Sequence, residues 1–206
     1  MMHLHLHRGE ARAPRGPVVK RQPAALFPPR RVLDHDAIPL GLYDAVKTKV
    51  GDLAAEHVRR VLTTFPQPDR RISRDHTVRL LAISSGDGRV TYIDRRTPDY
   101  IFAQRVGGGT GAMSPDRSLN EHEEIEWILM YHGGLTYVQA HPIATIAEHL
   151  VVESMGFVPS SYEEVMQSMV TFAKNADDDD PPPDPFLTWE DTQCTDDCDC
   201  AHCRGE

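Results

Sequence analysis

Two helix-forming runs joined by only three residues constrain this chain more than any other feature. From Ser118 to about His132 the pattern is helical, with Asn120 as the expected cap and Glu121, Glu123 and Glu124 in the first turn, where the helix dipole favours acids. Gly133-Gly134 ends that run, Thr136 caps a second from Tyr137 to Met155, and Gly156 closes it. A link as short as Gly133–Leu135 makes the two helices antiparallel neighbours, so side chains on their facing sides meet. Pro142 is expected near the start of the second helix, where a missing amide is tolerated. A third helix is expected from Ser160 or Ser161 to about Lys174.

The region before this hairpin alternates between the two periods of secondary structure. Leu42, Val46, Val50, Leu53, Ala54, His57, Val58 and Val61 recur near helical spacing, which predicts one helix over about 40–65, stopped by Pro66-Gln67-Pro68. Thr77–Ile83 and Arg89–Asp94 are β-prone runs around Ser85-Gly86-Asp87-Gly88, and predict an antiparallel hairpin. Gly107–Gly109 with Thr110 and Gly111 lacks the Gly-Lys-Ser/Thr ending of a phosphate-binding loop and reads as a flexible connector. The expected fold class is α+β: a small antiparallel sheet packed with several helices and flanked by disordered tails.

Charge divides the chain more sharply than its net −9 suggests. Residues 1–31 hold seven Lys/Arg against one acid, +6, and residues 175–206 hold eleven acids against one Arg, −10. The remaining fourteen bases and nineteen acids leave −5 for the middle. The expected organisation is a basic, Pro-rich arm over 1–33, one α+β domain over 34–175, and an acidic Pro/Cys-rich tail over 176–206. Asp177–Asp180 followed by Pro181–Pro183 reads as a stiff linker without a core, and Phe186, Leu187 and Trp189 as a patch able to dock on the body or on a partner. The arm is a solvated tail or a weak nucleic-acid contact, lacking interleaved aromatics for stacking. No apolar run approaches the length of a membrane span, and the first residues lack the apolar core of a signal peptide; a cytoplasmic location in a host cell, or a virion, is expected.

Chemistry concentrates on the paired helices. His122 and Glu126 are four apart and share a helix face, with Glu123 beside them; His141 and Glu148 are two turns apart on the second helix. The string His122-Glu123-Glu124-Ile125-Glu126 is the zinc-protease helix pattern with Glu in place of its second His. An imidazole pair and a carboxylate are a ligand set for Zn²⁺ or another divalent metal. In that arrangement His122, Glu126 and His141 bind the metal, and Glu123 is the general base. Glu148 is then a fourth ligand or the partner that fixes His141. The plain alternative is a solvated acidic face made by Glu121, Glu123, Glu124 and Glu126. A di-iron bundle is excluded, because Leu119, Val138 and Ile146, not Glu, stand three residues before His122, His141 and His149.

Residues from about Val90 to Tyr162 resemble a largely uncharacterised family of small phage and prophage proteins with a zincin-like metallopeptidase core. The resemblance rests on Tyr92-Ile93-Asp94-Arg95-Arg96-Thr97-Pro98, the His122–Glu126 string, Tyr137–Thr145 with Ala140-His141, then Glu148 and Gly156. It implies a zincin-like fold with a strand above the metal helix that pairs with an extended peptide; Tyr92, Ile93 and Asp94 would form that edge. The Glu at 126 departs from ordinary zincins.

All four cysteines fall in the tail: Cys194, Cys198, Cys200 and Cys203. Their spacing suits a second, structural Zn²⁺ in a small knuckle, or free thiols; it is tighter than in a zinc ribbon. The expected function is a metal-dependent, peptidase-like hydrolase of phage or prophage origin, acting on a protein or peptide. The alternative is a non-catalytic virion or host-interaction protein that keeps the zincin-like fold and uses its charged tails to contact a phage structural partner.

Overall fold

A computed structural model of the chain describes residues 38–65, 69–175 and 180–187. The basic arm before residue 38, Trp189 and the four cysteines lie outside the described residues. Among the described residues the fold is α+β, with five helices and two small sheets.

The first helical region is two helices, α1 (Leu42–Lys49) and α2 (Asp52–Thr64), in place of the single helix expected over 40–65. Gly51 causes the break: its φ of 113° lies where side chains are strained, and the chain turns there before α2 restarts. The turn lets Leu42 and Val46 of α1 and Val58 and Leu62 of α2 reach one core.

The first sheet contains β1 (Arg71–Ser73), β2 (Ala82–Ser84) and β3 (Val90–Ile93), in the order β1-β3-β2. β2 and β3 form the expected antiparallel hairpin, with Ser84 opposite Thr91 and Ala82 opposite Ile93. β2 begins later than expected, because Leu81 takes a left-handed φ of 72° and residues 79–80 turn instead of extending. β1 pairs with β3 in parallel, so the sheet is mixed and not antiparallel throughout. This topology overturns the proposed peptide edge at Tyr92, Ile93 and Asp94. β3 is the central strand, bonded on both sides and buried along its length, and has no free ladder to offer. Asp94 instead ties the segment before β2 to the loop after β3, accepting hydrogen bonds from the Val78 amide at 3.1 Å and from the Arg96 amide at 2.7 Å.

The second sheet is a hairpin of β4 (Ile101–Gln104) and β5 (Thr110–Met113). Gly107, Gly108 and Gly109, all at positive φ, form its tip, so the expected flexible connector is an ordered turn.

α3 (Asp116–Tyr131) starts four residues before the expected cap at Asn120, which moves the acids out of the first turn and into the helix interior. Every residue from 118 to 130 is buried, because α4 (Tyr137–Ser154), α2, β2 and β3 all pack against α3. The solvated acidic face is thereby excluded. α4 is capped as expected: the Gln139 side chain accepts the Thr136 amide at 3.1 Å. Pro142 lies inside α4, beyond the first turn, and removes one internal hydrogen bond. α5 (Pro159–Lys174) closes the domain over β4.

The acidic segment 180–187 is not a linker without a core. The Thr77 amide donates to the Asp180 carbonyl at 2.9 Å, the Phe186 amide donates to the Ser84 carbonyl at 2.7 Å, and Leu187 is only 2% exposed. The packed body therefore continues past residue 175. Among the described residues no helix is long and apolar enough to cross a membrane.

Candidate metal centre

The α3–α4 hairpin brings His122 and Glu126, one turn apart on α3, against His141 on the first half of α4. His141 Nδ1 lies 2.8 Å from Glu126 Oε2 and 3.1 Å from His122 Nε2, and the remaining His122 Nε2–Glu126 Oε2 separation is 3.5 Å. Ligands about 2.0–2.2 Å from one ion at tetrahedral angles stand about 3.3–3.6 Å apart. The triangle needs to open by only a few tenths of an ångström to fit one. A proton can bridge only part of this triangle, whereas a cation accepts all three lone pairs at once. The His122, Glu126 and His141 group could hold a metal ion. His122 and Glu126 are buried, while the His141 side chain is 44% exposed, so the centre opens to solvent on the α4 side.

Glu148 takes neither role expected of it with respect to His141. Its Oε2 sits 2.8 Å from His122 Nδ1, on the far side of the ring from the nitrogen that faces His141. It therefore orients His122, a carboxylate–histidine pairing that fixes which ring nitrogen is presented. The Tyr162 hydroxyl, from α5, donates to the other oxygen of Glu148 at 2.6 Å and lies 2.9 Å from Ser118 Oγ. Tyr162 falls within the resembling segment, yet its isolated position at the start of α5 carries no spacing signal that could assign it this contact.

Glu123 is buried beside the triangle and lines the same cavity of about 320 Å³ as His122, Glu126 and His141. A side chain far away in sequence supports it. The buried Arg70 donates to Ser84 Oγ at 2.6 Å, and Ser84 Oγ donates to the Glu123 carbonyl at 2.9 Å. Arg70 also faces the charges of Glu124, Glu123 and Glu121, which oppose the cost of burying its guanidinium. Neither Arg70 nor Ser84 stands out in the sequence, because their roles depend on the sheet lying against α3.

Electrostatics separate the two α3 carboxylates. Burial would raise Glu126, but hydrogen bonds from His122 and His141, and their charges, bring its carboxyl down to about 2. Burial, and then the Glu126 charge, push Glu123 up to about 7 against the pull of His122 and Arg70. Burial opposes the charge on His122, but Glu148 and Glu126 overcome it and hold the imidazolium well above the usual histidine range. Burial likewise works against ionised Glu148, which His122 and Tyr162 nevertheless hold below its usual value.

The arrangement thus offers a set of metal-ligating lone pairs, an ionised carboxylate among them, and a second carboxylate poised to exchange a proton near neutrality. Tyr92, Ile93 and Asp94 are not part of it, and the cysteine cluster lies outside the described residues. No protein-family model matches the chain, and no curated protein or solved structure matches it either.

Proposed function

We propose that this chain is a metal-dependent hydrolase with a zincin-like site, peptidase-like in its chemistry and of phage or prophage origin, with zinc or another divalent ion as its cofactor. The observation that carries the proposal is the convergence of His122 Nε2, Glu126 Oε2 and His141 Nδ1 beside Glu123 in one cavity. When bound, such an ion polarises a carbonyl and lowers the pKa of water towards ~7. Glu123 takes the proton of the attacking water and returns it to the leaving group. In the metal-free site burial and the Glu126 charge hold this carboxyl at about 7. Glu148 and Tyr162 keep the His122 ring from turning, and the Ser84 contact fixes the α3 backbone at Glu123. The ionised Glu126 would place more negative charge on an ion held there than a third imidazole, and so would make it a weaker Lewis acid.

Metal analysis of the purified full chain tests this directly. An equivalent of zinc or another divalent ion is expected in the wild type and is lost in His122→Ala. Glu123→Gln keeps the ion and abolishes cleavage of a peptide library. A wild-type chain that takes up no ion at neutral pH overturns the proposal. Unchanged cleavage by Glu123→Gln removes Glu123 as the base, and an ion without any cleavage favours the binding protein over the enzyme.

A further inference from the structure

The outer edge of β2 is covered by a piece of the chain's own tail, bound as a peptide would be. Ser85 and Pro185 are antiparallel bridge partners, the Gly86 amide donates to the Asp184 carbonyl at 2.7 Å, and the Phe186 amide donates to the Ser84 carbonyl at 2.7 Å. Three side chains of this short segment find separate partners. Asp184 accepts the Tyr92 hydroxyl at 2.5 Å, the Phe186 ring packs edge-on against Trp127 with centroids 6.3 Å apart, and Leu187 is buried. Leu187 lines the same cavity as His122, Glu123 and His141, together with Leu80 and Ile83 of the β2 side.

The segment is a weak strand. Two backbone hydrogen bonds are all that join 184–187 to the β2 side among the described residues, and Pro185 meets it only as a single bridge opposite Ser85. A proline at the outward-facing position also prevents a further strand from adding to the segment itself.

We infer that Asp184–Leu187 is a displaceable internal ligand of the β2 edge, and that its side chains report the partner this edge accepts in its place: an extended peptide carrying an acid, any residue, an aromatic and an aliphatic in that order. While the segment is seated it closes one side of the metal-centre cavity with Leu187. Binding of such a peptide exposes or fills that side in its stead.

Hydrogen exchange on the full chain tests the displacement, because neighbouring amides on one strand face opposite ways. The Ser85 amide bonds inward to the Val90 carbonyl and the Asp94 amide to the Leu81 carbonyl, whereas the Gly86 and Phe186 amides form the two bonds to the segment. Gly86 and Phe186 are expected to exchange about tenfold or more faster than Ser85 and Asp94, through local release. Adding the acetylated peptide TVDVFLTK should slow Gly86 and speed Phe186, while TVKVSSTK does neither. Leu187→Ala, which weakens the competing segment, should tighten binding of TVDVFLTK about tenfold by raising the fraction of free edge. Exchange of all four amides together, with no response to TVDVFLTK, overturns the inference; so does an affinity unchanged by Leu187→Ala. Should that variant not fold, the wild-type exchange decides alone. Neither measurement involves metal or hydrolysis, so the result is independent of the hydrolase proposal.

Discussion

His122 and Glu123 are neighbours in sequence, and both are shifted upward by the same buried carboxylates, with opposite consequences for charge. Glu126 and Glu148 stabilise the imidazolium of His122, while the Glu126 charge, added to burial, keeps the proton on Glu123. The raised Glu123 fixes the sign of one pH effect. Its contribution to stability is fully present below the ordinary value of 4.5 and is lost as pH rises through about 7. The metal-free protein should therefore lose melting temperature across that window, and Glu123→Gln should flatten the loss in a thermal scan at several pH values. A wild-type slope retained in the variant would place the titration elsewhere. His122 fixes a second effect. Since its imidazolium persists above the usual histidine range, a metal must expel that proton, and the affinity should rise with pH through and above that range, by up to about tenfold per pH unit for the one proton displaced. Calorimetry in buffers of different ionisation enthalpy reads the released proton; an affinity independent of pH would mean that His122 does not meet the ion.

At the scale of the element, capping residues and glycines carry most of what was legible. The Gly133-Gly134 stop and the Thr136 cap lie in the local chain and read correctly without any knowledge of packing. The β2–β3 turn is similar, but its last glycine has a reason only the fold supplies. A Cβ on Gly88 would sit 2.6 Å from the Trp127 ring, at a φ of 70°. Gly88→Ala should cost about 2–4 kcal/mol in urea unfolding, from overpacking and left-handed strain together. Gly86→Ala, whose Cβ would meet nothing nearer than the Asp184 carbonyl at 3.7 Å, is the control and should cost less than about 1 kcal/mol. Equal losses in the two variants would refute the Trp127 contact. Elements without a local signature escaped. β1 is three residues, Arg-Ile-Ser, with one apolar side chain, and exists because β3 offers a parallel ladder. The β4–β5 hairpin hid behind its own turn, since a run of glycines marks a connector and a tight reversal equally well.

Across the whole molecule, α3 joins the two cores. Ile125, Trp127 and Ile128 pack with α1, α2 and α4, while Leu119 packs with Ile93, Phe157 and Tyr162 on the other side. An ion held between α3 and α4 should accordingly stabilise the domain as one unit. At one hundred times its dissociation constant, zinc should add about 2.7 kcal/mol in a single thermal transition. His122→Ala should remove that shift, and a shift surviving in the variant would locate the ion outside this centre. The helix hairpin, its Gly133-Gly134 stop, the Thr136 cap and the shared face of His122 with Glu126 were determined by the sequence alone, because they follow from periodicity and short connections within a few turns of chain, whereas the expected cap at Asn120 lies inside α3. The triangle with His141 was an expectation there, resting on two helices being forced side by side. Only the tertiary structure decided that Glu148 turns towards His122 and not His141, that Tyr162 and Arg70 stand behind the site, that β3 is central, and that the acidic tail covers β2. Each of these depends on which surfaces bury one another across long separations in the chain, and burial of that kind leaves no mark in local residue spacing.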